Sequence, residues 1–250
     1  MQISQIYITE SDFGLPPLLV EASETVKRNL PATSYVLYNN SMILNLIREH
    51  FDEQVLSAYL ALIPYSYKAD LAKYLILKIY GGWYVDTSIK IVRTLNPIPD
   101  QYELLYFRDF GDGFLPGKLT YNVQCSFIFA RPNNPVFDEA IRLVVQHCLD
   151  GYYGLTPVCP TGPGVFGRAI ALFGNQDSHV VGDFLPLTPN HGQKNRSYVL
   201  PSGEIVALHK NAWFPEAIAG DISKLGVEGG NNYIDLYRSR SVYATKPFVF

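Results

Sequence analysis

Residues 68–92 read KADLAKYLILKIYGGWYVDTSIKIV, running from Lys68 to Val92, and hold a helix, a double-glycine stop, a short strand and an acidic turn in immediate succession. Asp70 and Lys73 stand three apart, so on a helix they share a face with Tyr74 and Leu77, while Leu71, Leu75, Ile76 and Ile79 give wide apolar cover. A helix so covered is largely buried. Charges taken from water near its start must therefore be paired or solvated by something specific: either Asp70 and Lys73 pair together or they face a ligand. Gly81-Gly82 permits a reversal that a side chain would resist, and Trp83-Tyr84-Val85 then makes a strand that delivers Asp86 at its carboxyl end. In open α/β sheets ligands bind in the crevice outside those ends, which suits an acidic residue to a nucleotide and its metal.

Reading outward, Ser4–Ile8 is β-prone, a helical stretch covers 18–29 and Ser34–Tyr38 is a second β-prone run, a β-α-β opening. From Ser41 to Tyr80 the pattern is helical three times over, broken at His50-Phe51 and at Pro64, with Ser66 available as N-cap of the last helix. Strand-like runs follow at Trp83–Asp86, Ile89–Val92, Leu104–Phe107 and Ser126–Ala130, then a helical pattern over Pro135–Leu149. A Thr-Gly-Pro-Gly turn at 161–164 leads into a helix-like stretch to Phe173, and Tyr198–Leu200 and Ile205–Leu208 are short strands. The expected architecture is one α/β domain over residues 1–250. Its sheet is mostly parallel with a Rossmann-type first half, a helical excursion spans about 41–66, and the chain divides into a first half, 1–130, and a second half with the tail, 131–250.

Composition narrows the function. With 250 residues, 48% hydrophobic and 17% charged, the chain can bury a sizeable core. A net charge of −3 without a basic run gives no footprint for a nucleic-acid backbone. Cys125, Cys148 and Cys159 are neither paired as in zinc sites nor dense enough for a disulfide scaffold, and read as buried thiols in a reducing compartment. The start, MQISQIYITESDF, is unlike a signal peptide, and no later stretch reaches the roughly 18 apolar residues of a membrane span. A cytoplasmic protein is expected; the Tyr-, Phe- and Arg-bearing tail from Tyr233 leaves peripheral contact with the inner membrane face open.

The central block resembles the DXD-containing glycosyltransferases, a family that takes in yeast-type mannosyltransferases, bacterial capsule and lipopolysaccharide sugar transferases and, more distantly, the large clostridial glucosylating toxins. Their shared stretch reads S-D-x-x-R-Y, a helix, then Y-G-G-x-Y-x-D-x-D. The residues that carry the resemblance are Ala69-Asp70, Lys73-Tyr74, Tyr80-Gly81-Gly82, Tyr84 and Asp86, with sixteen positions from Asp70 to Asp86. Gln5-Ile6-Tyr7 is similar to the family's opening strand, 34–38 to its second, and Thr161-Gly162-Pro163, His209 and Trp213 to its later landmarks. Two positions depart from the pattern. Ser88 stands where the second motif aspartate belongs, and Lys73 where the family has arginine.

The resemblance implies a GT-A-like fold and transfer of a hexose, with retention, from a nucleotide sugar, UDP-sugar foremost, to a saccharide or glycolipid in surface polysaccharide synthesis. It implies Mn²⁺ or Mg²⁺ bridging the diphosphate to Asp86 and Ser88, with His209 as a further ligand. Asp86 and Lys73 are then the catalytic candidates, and Tyr7, Asp70, Tyr84, Ser88 and Trp213 join Asp86 on the donor. Asp109, Asp112, Thr161 and Gly162 fall to the acceptor side. Plainer readings stand beside these: Asp86 as a turn cap, Asp70 as a first-turn helix aspartate with a snorkelling Lys73, Tyr7 as packing, His209 as structural and Asp109/Asp112 as a solvated turn. A protein-modifying glucosyltransferase and a catalytically silent sugar-nucleotide-binding module are the alternatives.

Overall fold

The computed structural model describes residues 1–11, 14–109, 123–187, 195–218 and 220–244. The strands are β1 (Gln2–Ile6), β2 (Ser34–Tyr38), β3 (Gly82–Val85), β4 (Lys90–Ile91), β5 (Leu104–Asp109), β6 (Val123–Ala130), β7 (His179–Pro186), β8 (Arg196–Val199) and β9 (Ile205–Leu208). They join one sheet in the order β2-β1-β3-β6-β5-β7-β8-β9-β4. The helices are α1 (Pro17–Asn29), α2 (Asn40–His50), α3 (Glu53–Ala61), α4 (Tyr65–Tyr80), α5 (Pro135–Asp150), α6 (Pro163–Phe173), α7 (Lys210–Trp213) and α8 (Tyr233–Arg238).

The α/β class, the β-α-β opening and the helical excursion match the expectation, but the parallel share of the sheet is smaller than expected. β1 pairs in parallel with β2 and β3, and β5 with β7. The other five pairings are antiparallel. Two of these belong to β6, which runs against both β3 and β5 beside the acidic turn, and three to the succession β7-β8-β9-β4. β7 was not read as a strand in advance; Gly182 and Asp183 interrupt its apolar run HVVGDFLP. Ser66 is not the cap of α4 either: Pro64 holds that position, without a side-chain cap bond.

Strand alternation sends neighbouring side chains to opposite faces. Trp83 and Val85 enter an aromatic core with Phe107, Phe127, Phe184 and Tyr198, whereas Tyr84 faces the cluster packed under α4, α5 and α6. There Tyr74 stacks on Phe166 and Phe137 on Phe166, with centroids 5.9 and 6.2 Å apart. α4 is thereby packed on α5, β1 and β3, and Lys73 on it reaches Asp86 just past the carboxyl end of β3.

Gly82 makes this register possible. It adopts φ +86°, and a Cβ there would stand 2.2 Å from the Gln2 carbonyl oxygen of β1. Gly82→Ala is expected to cost on the order of 4 kcal/mol, strain plus a backbone clash, and to lower Tm by about 10 °C in a thermal melt. Gly203→Ala has a similar φ of +85° and open space around it, so it should cost only about 1 kcal/mol.

Candidate functional site

α4 and β3 converge on three ionic side chains. Lys73 Nζ lies 2.8 Å from Asp70 Oδ1 and 3.6 Å from Asp86 Oδ1. Asp70 Oδ2 accepts a 2.8 Å bond from Thr161 Oγ1. The Tyr84 hydroxyl donates to Asp86 Oδ1 at 2.7 Å, and its ring lies under Lys73 Nζ at 4.8 Å. The lysine side chain is only 3% exposed, but Asp86 keeps 40% of its own open. Of the two alternatives left open by the sequence the structure shows the pairing: Asp70 and Lys73 pair, and Lys73 also reaches Asp86, a carboxylate that opens outward.

The electrostatics follow from that packing. Burial works against the charge of Lys73, but Asp70 and then Asp86 outweigh it and hold the ammonium pKa well above its ordinary value. Low-dielectric surroundings raise the Asp86 pKa, with Lys73 and the Tyr84 hydroxyl pulling it back. Cys125 lies beside the pair, 3.7 Å from Lys73 Nζ and 3.6 Å from Asp70 Oδ1. Burial keeps its thiol well above the usual range and so protonated.

A cavity of about 520 Å³ opens over this floor, within the size range of small-molecule sites. Tyr7, Asp70, Lys73, Tyr84, Asp86, Ser88, Asp109 and His209 all wall it. Tyr7 shares its apolar end with Ile6, Ile8 and Leu19. Asp109 closes β5 and accepts from Gln124 Nε2 at 2.5 Å, while Asp112 lies outside the described residues. The remaining expected residues stand behind the wall. Trp213 donates from Nε1 to the Ser88 carbonyl at 3.1 Å and carries Lys90 Nζ over its ring at 4.1 Å, gripping the acidic turn from the rear. Thr161 is fully buried against Asp70. Its carbonyl and that of Gly162 accept from Tyr74 Oη at 2.9 and 3.3 Å, and a Cβ on Gly162 would come within 3.0 Å of Asp70 Oδ2.

Several wall residues escaped the sequence reading. Arg196 and Lys210 bring two cations to the cavity, and Gly220, Ile222, Gly230, Asn231 and Tyr233 make a wall from the segment that follows α7. Only Lys210 carried a signal, as the neighbour of His209. The His209 N–H donates to the Arg196 carbonyl at 3.0 Å. Burial, with Lys210 and Arg196 close by, pushes the His209 pKa down to about 3. Burial lowers Lys210 to about 8, against the pull of Asp86 and Asp221.

The histidines give an acid-lability prediction. His147, His179 and His209 all have pKa values lowered chiefly by burial. Each is neutral in the fold, while in the unfolded chain each binds a proton below about pH 6.5. Stability therefore falls as pH drops through that value, at up to about 1.4 kcal/mol per pH unit for each histidine. Urea midpoints between pH 7.5 and 5 should fall, and His209→Gln should make that fall shallower.

The donor set does not fit a divalent ion held by the protein. Asp86 Oδ1 is taken by Tyr84 and faced by Lys73, and both oxygens of Asp70 are engaged. Ser88 offers a neutral hydroxyl where a second carboxylate would serve, and His209 accepts from the Asn211 N–H through Nδ1 at 3.5 Å. Among the described residues no three His, Cys, Asp or Glu side chains cluster as a metal site. The expected ligands Asp86, Ser88 and His209 thus share a cavity without forming a coordination shell of their own.

Residues 16–105 match the model of the glycosyltransferase sugar-binding region containing DXD motif. Residues 16–105 are thus similar to the DXD-type glycosyltransferase region. Over 105 residues the chain is 32% identical to an uncharacterized glycosyltransferase of Acanthamoeba polyphaga mimivirus, a match that covers 42% of this chain and 39% of the viral protein. The chain therefore spans well under half of that relative's length. Its structure is similar to that of the PaToxG glycosyltransferase, with a TM-score of 0.51 at 18% identity and 68% of each chain covered, a likeness of fold. The glycosyltransferase region ends within β5, so it contains Asp70, Lys73, Tyr84, Asp86 and Ser88 but leaves Asp109, Arg196, His209 and Lys210 beyond it. Among the described residues of the chain, no helix is long and apolar enough to cross a membrane.

Proposed function

We propose that this chain is a glycosyltransferase that moves a hexose from a nucleotide sugar, UDP-sugar foremost, to a saccharide or glycolipid acceptor. The observation that carries the reading is the Asp70–Lys73–Asp86 floor of a cavity of about 520 Å³, within the matched region. Asp86 accepts hydrogen bonds from the donor sugar's hydroxyls through the exposed edge of its carboxylate. Charge-assisted bonds of this kind fix the anomeric carbon relative to an incoming hydroxyl. Lys73 is a positioning residue: its buried ammonium lies between the two carboxylates and orients both. Tyr7 and the apolar end beside it receive the base, which leaves the Asp109 and Gln124 side for the acceptor.

In the transfer the bond from the anomeric carbon to the diphosphate oxygen breaks, and the electron pair stays on that oxygen. A bond from the acceptor oxygen to the same carbon forms, and the acceptor's proton passes to the departing diphosphate. Retention and a role in surface polysaccharide synthesis belong to the same reading, supported by the family resemblance. The test is incubation of the purified chain with UDP-glucose, UDP-galactose, UDP-N-acetylglucosamine and the GDP-sugars, with release of nucleoside diphosphate followed by chromatography. Turnover of one donor, accelerated by added saccharide, is expected. Tight nucleotide binding with no turnover of any donor would instead favour the silent binding module.

A further inference from the structure

We propose that the donor's diphosphate lies against a cationic wall formed by Arg196 and Lys210, and that this wall supplies the positive charge that a divalent ion supplies in a two-aspartate motif. The proposal rests on the nucleotide-sugar reading above. Both side chains wall the cavity that Asp86 and Ser88 open into. The chain fixes them side by side: β8 begins at Arg196, β9 is its antiparallel partner, and the His209 N–H donates to the Arg196 carbonyl at 3.0 Å immediately before Lys210. An aromatic support holds the array, since the Arg196 guanidinium lies 5.4 Å from the Phe184 ring centre and that ring meets His209 edge-on at 5.5 Å.

Lys210 is the telling member. It is only 7% exposed, yet among the described residues its hydrogen bond is to the Ile218 carbonyl, at 3.3 Å, and it forms no salt bridge with a carboxylate. An ammonium taken out of water without a carboxylate partner is costly unless an anion completes it. The two carboxylates that pull on it, Asp86 and Asp221, do not pair with it: Asp86 is faced by Lys73 and accepts from Tyr84, and Asp221 accepts from the Ser223 N–H. A diphosphate has the charge and the acceptor oxygens to fill that place. Its need for neutralisation grows in the reaction, when the leaving oxygen takes the electron pair of the broken bond. Position 88 is Ser rather than the family's Asp, in keeping with a site that meets this charge with side-chain cations.

Calorimetric titration of the full chain with UDP and, separately, with inorganic pyrophosphate tests the proposal, each in EDTA and in Mn²⁺. Wild type is expected to bind both ligands in EDTA, with Mn²⁺ changing Kd by less than about threefold. Lys210→Met should weaken both at least about tenfold in EDTA, the loss of one charge-assisted bond, and Lys210→Arg should keep most of the affinity. Should Lys210→Met fail to fold in a thermal melt, Arg196→Gln is measured in its place against the same criterion. Binding of both ligands only in Mn²⁺, or Lys210→Met binding like wild type, overturns the wall while leaving the nucleotide-sugar reading intact. Pyrophosphate binding that depends on Lys210, with no binding of UDP, upholds the wall and overturns the UDP-sugar reading; no binding of either ligand overturns both.

Discussion

Asp86→Ala is expected to lower kcat/KM for sugar transfer at least about a thousandfold while leaving Tm within a few degrees of wild type. A thousandfold is about 4 kcal/mol of transition-state stabilisation, the scale on which losing a preorganised, partly desolvated charged contact is felt. The small stability change follows from the geometry. The carboxylate carries a raised pKa because its surroundings disfavour its charge, so its removal also relieves a cost. Lys73 keeps its closer partner, Asp70, at 2.8 Å. Asp86→Asn should fall between the two proteins, since an amide oxygen can still accept from Tyr84 but carries no charge. Initial rates on the donor found by screening, together with a melt of each variant, read both quantities. If Asp86→Ala transferred sugar within about threefold of wild type, the residue would be no more than the turn cap that Asp-Thr-Ser chemistry also allows.

What could be read in the sequence was local. Helix α4, the glycine reversal and the strand into Asp86 follow from apolar spacing and from two residues without side chains, so the floor of the site was visible in 25 consecutive positions. The antiparallel course of β6 was not, because a strand buried on both faces has the same apolar run in either direction. Thr161 and Gly162 were noticed for a motif resemblance and expected on the acceptor side; in the structure they stand against Asp70, behind the cavity wall. Their part in holding Asp70 needs α6 to pack against α4 and β6, a long-range event that no local pattern encodes. Arg196, Lys210 and Tyr233 came to the cavity in the same way, through sheet register and the return of the tail. Trp213 was expected on the donor, but it meets the Ser88 carbonyl from outside the cavity.

The second large effect concerns Lys73, whose replacement should separate stability from activity. Lys73→Met fits the volume but leaves Asp70 and Asp86 facing each other across the space of the lost ammonium, with Asp70 only 15% exposed. Removing one partner from a buried ion pair costs about 3 to 5 kcal/mol, and urea unfolding at pH 7.5 should show a loss of that size. Acid should relieve the loss. Without the lysine the Asp86 pKa, already raised by burial, rises further. A carboxyl raised in the fold withholds stability above its folded pKa and returns it as pH falls through that value. The gap between variant and wild type should therefore narrow toward pH 5. Adding Asp70→Asn should recover most of the stability even at pH 7.5, because one carboxylate then remains and can face the cavity. Neither variant should transfer sugar at more than about a hundredth of the wild-type rate, since a carboxylate held about 1 Å from its working position loses on that scale. Recovered stability together with recovered activity would show the Asp70–Lys73 pair to be structural alone; recovered stability without activity would place it in the machinery that holds Asp86 for the donor.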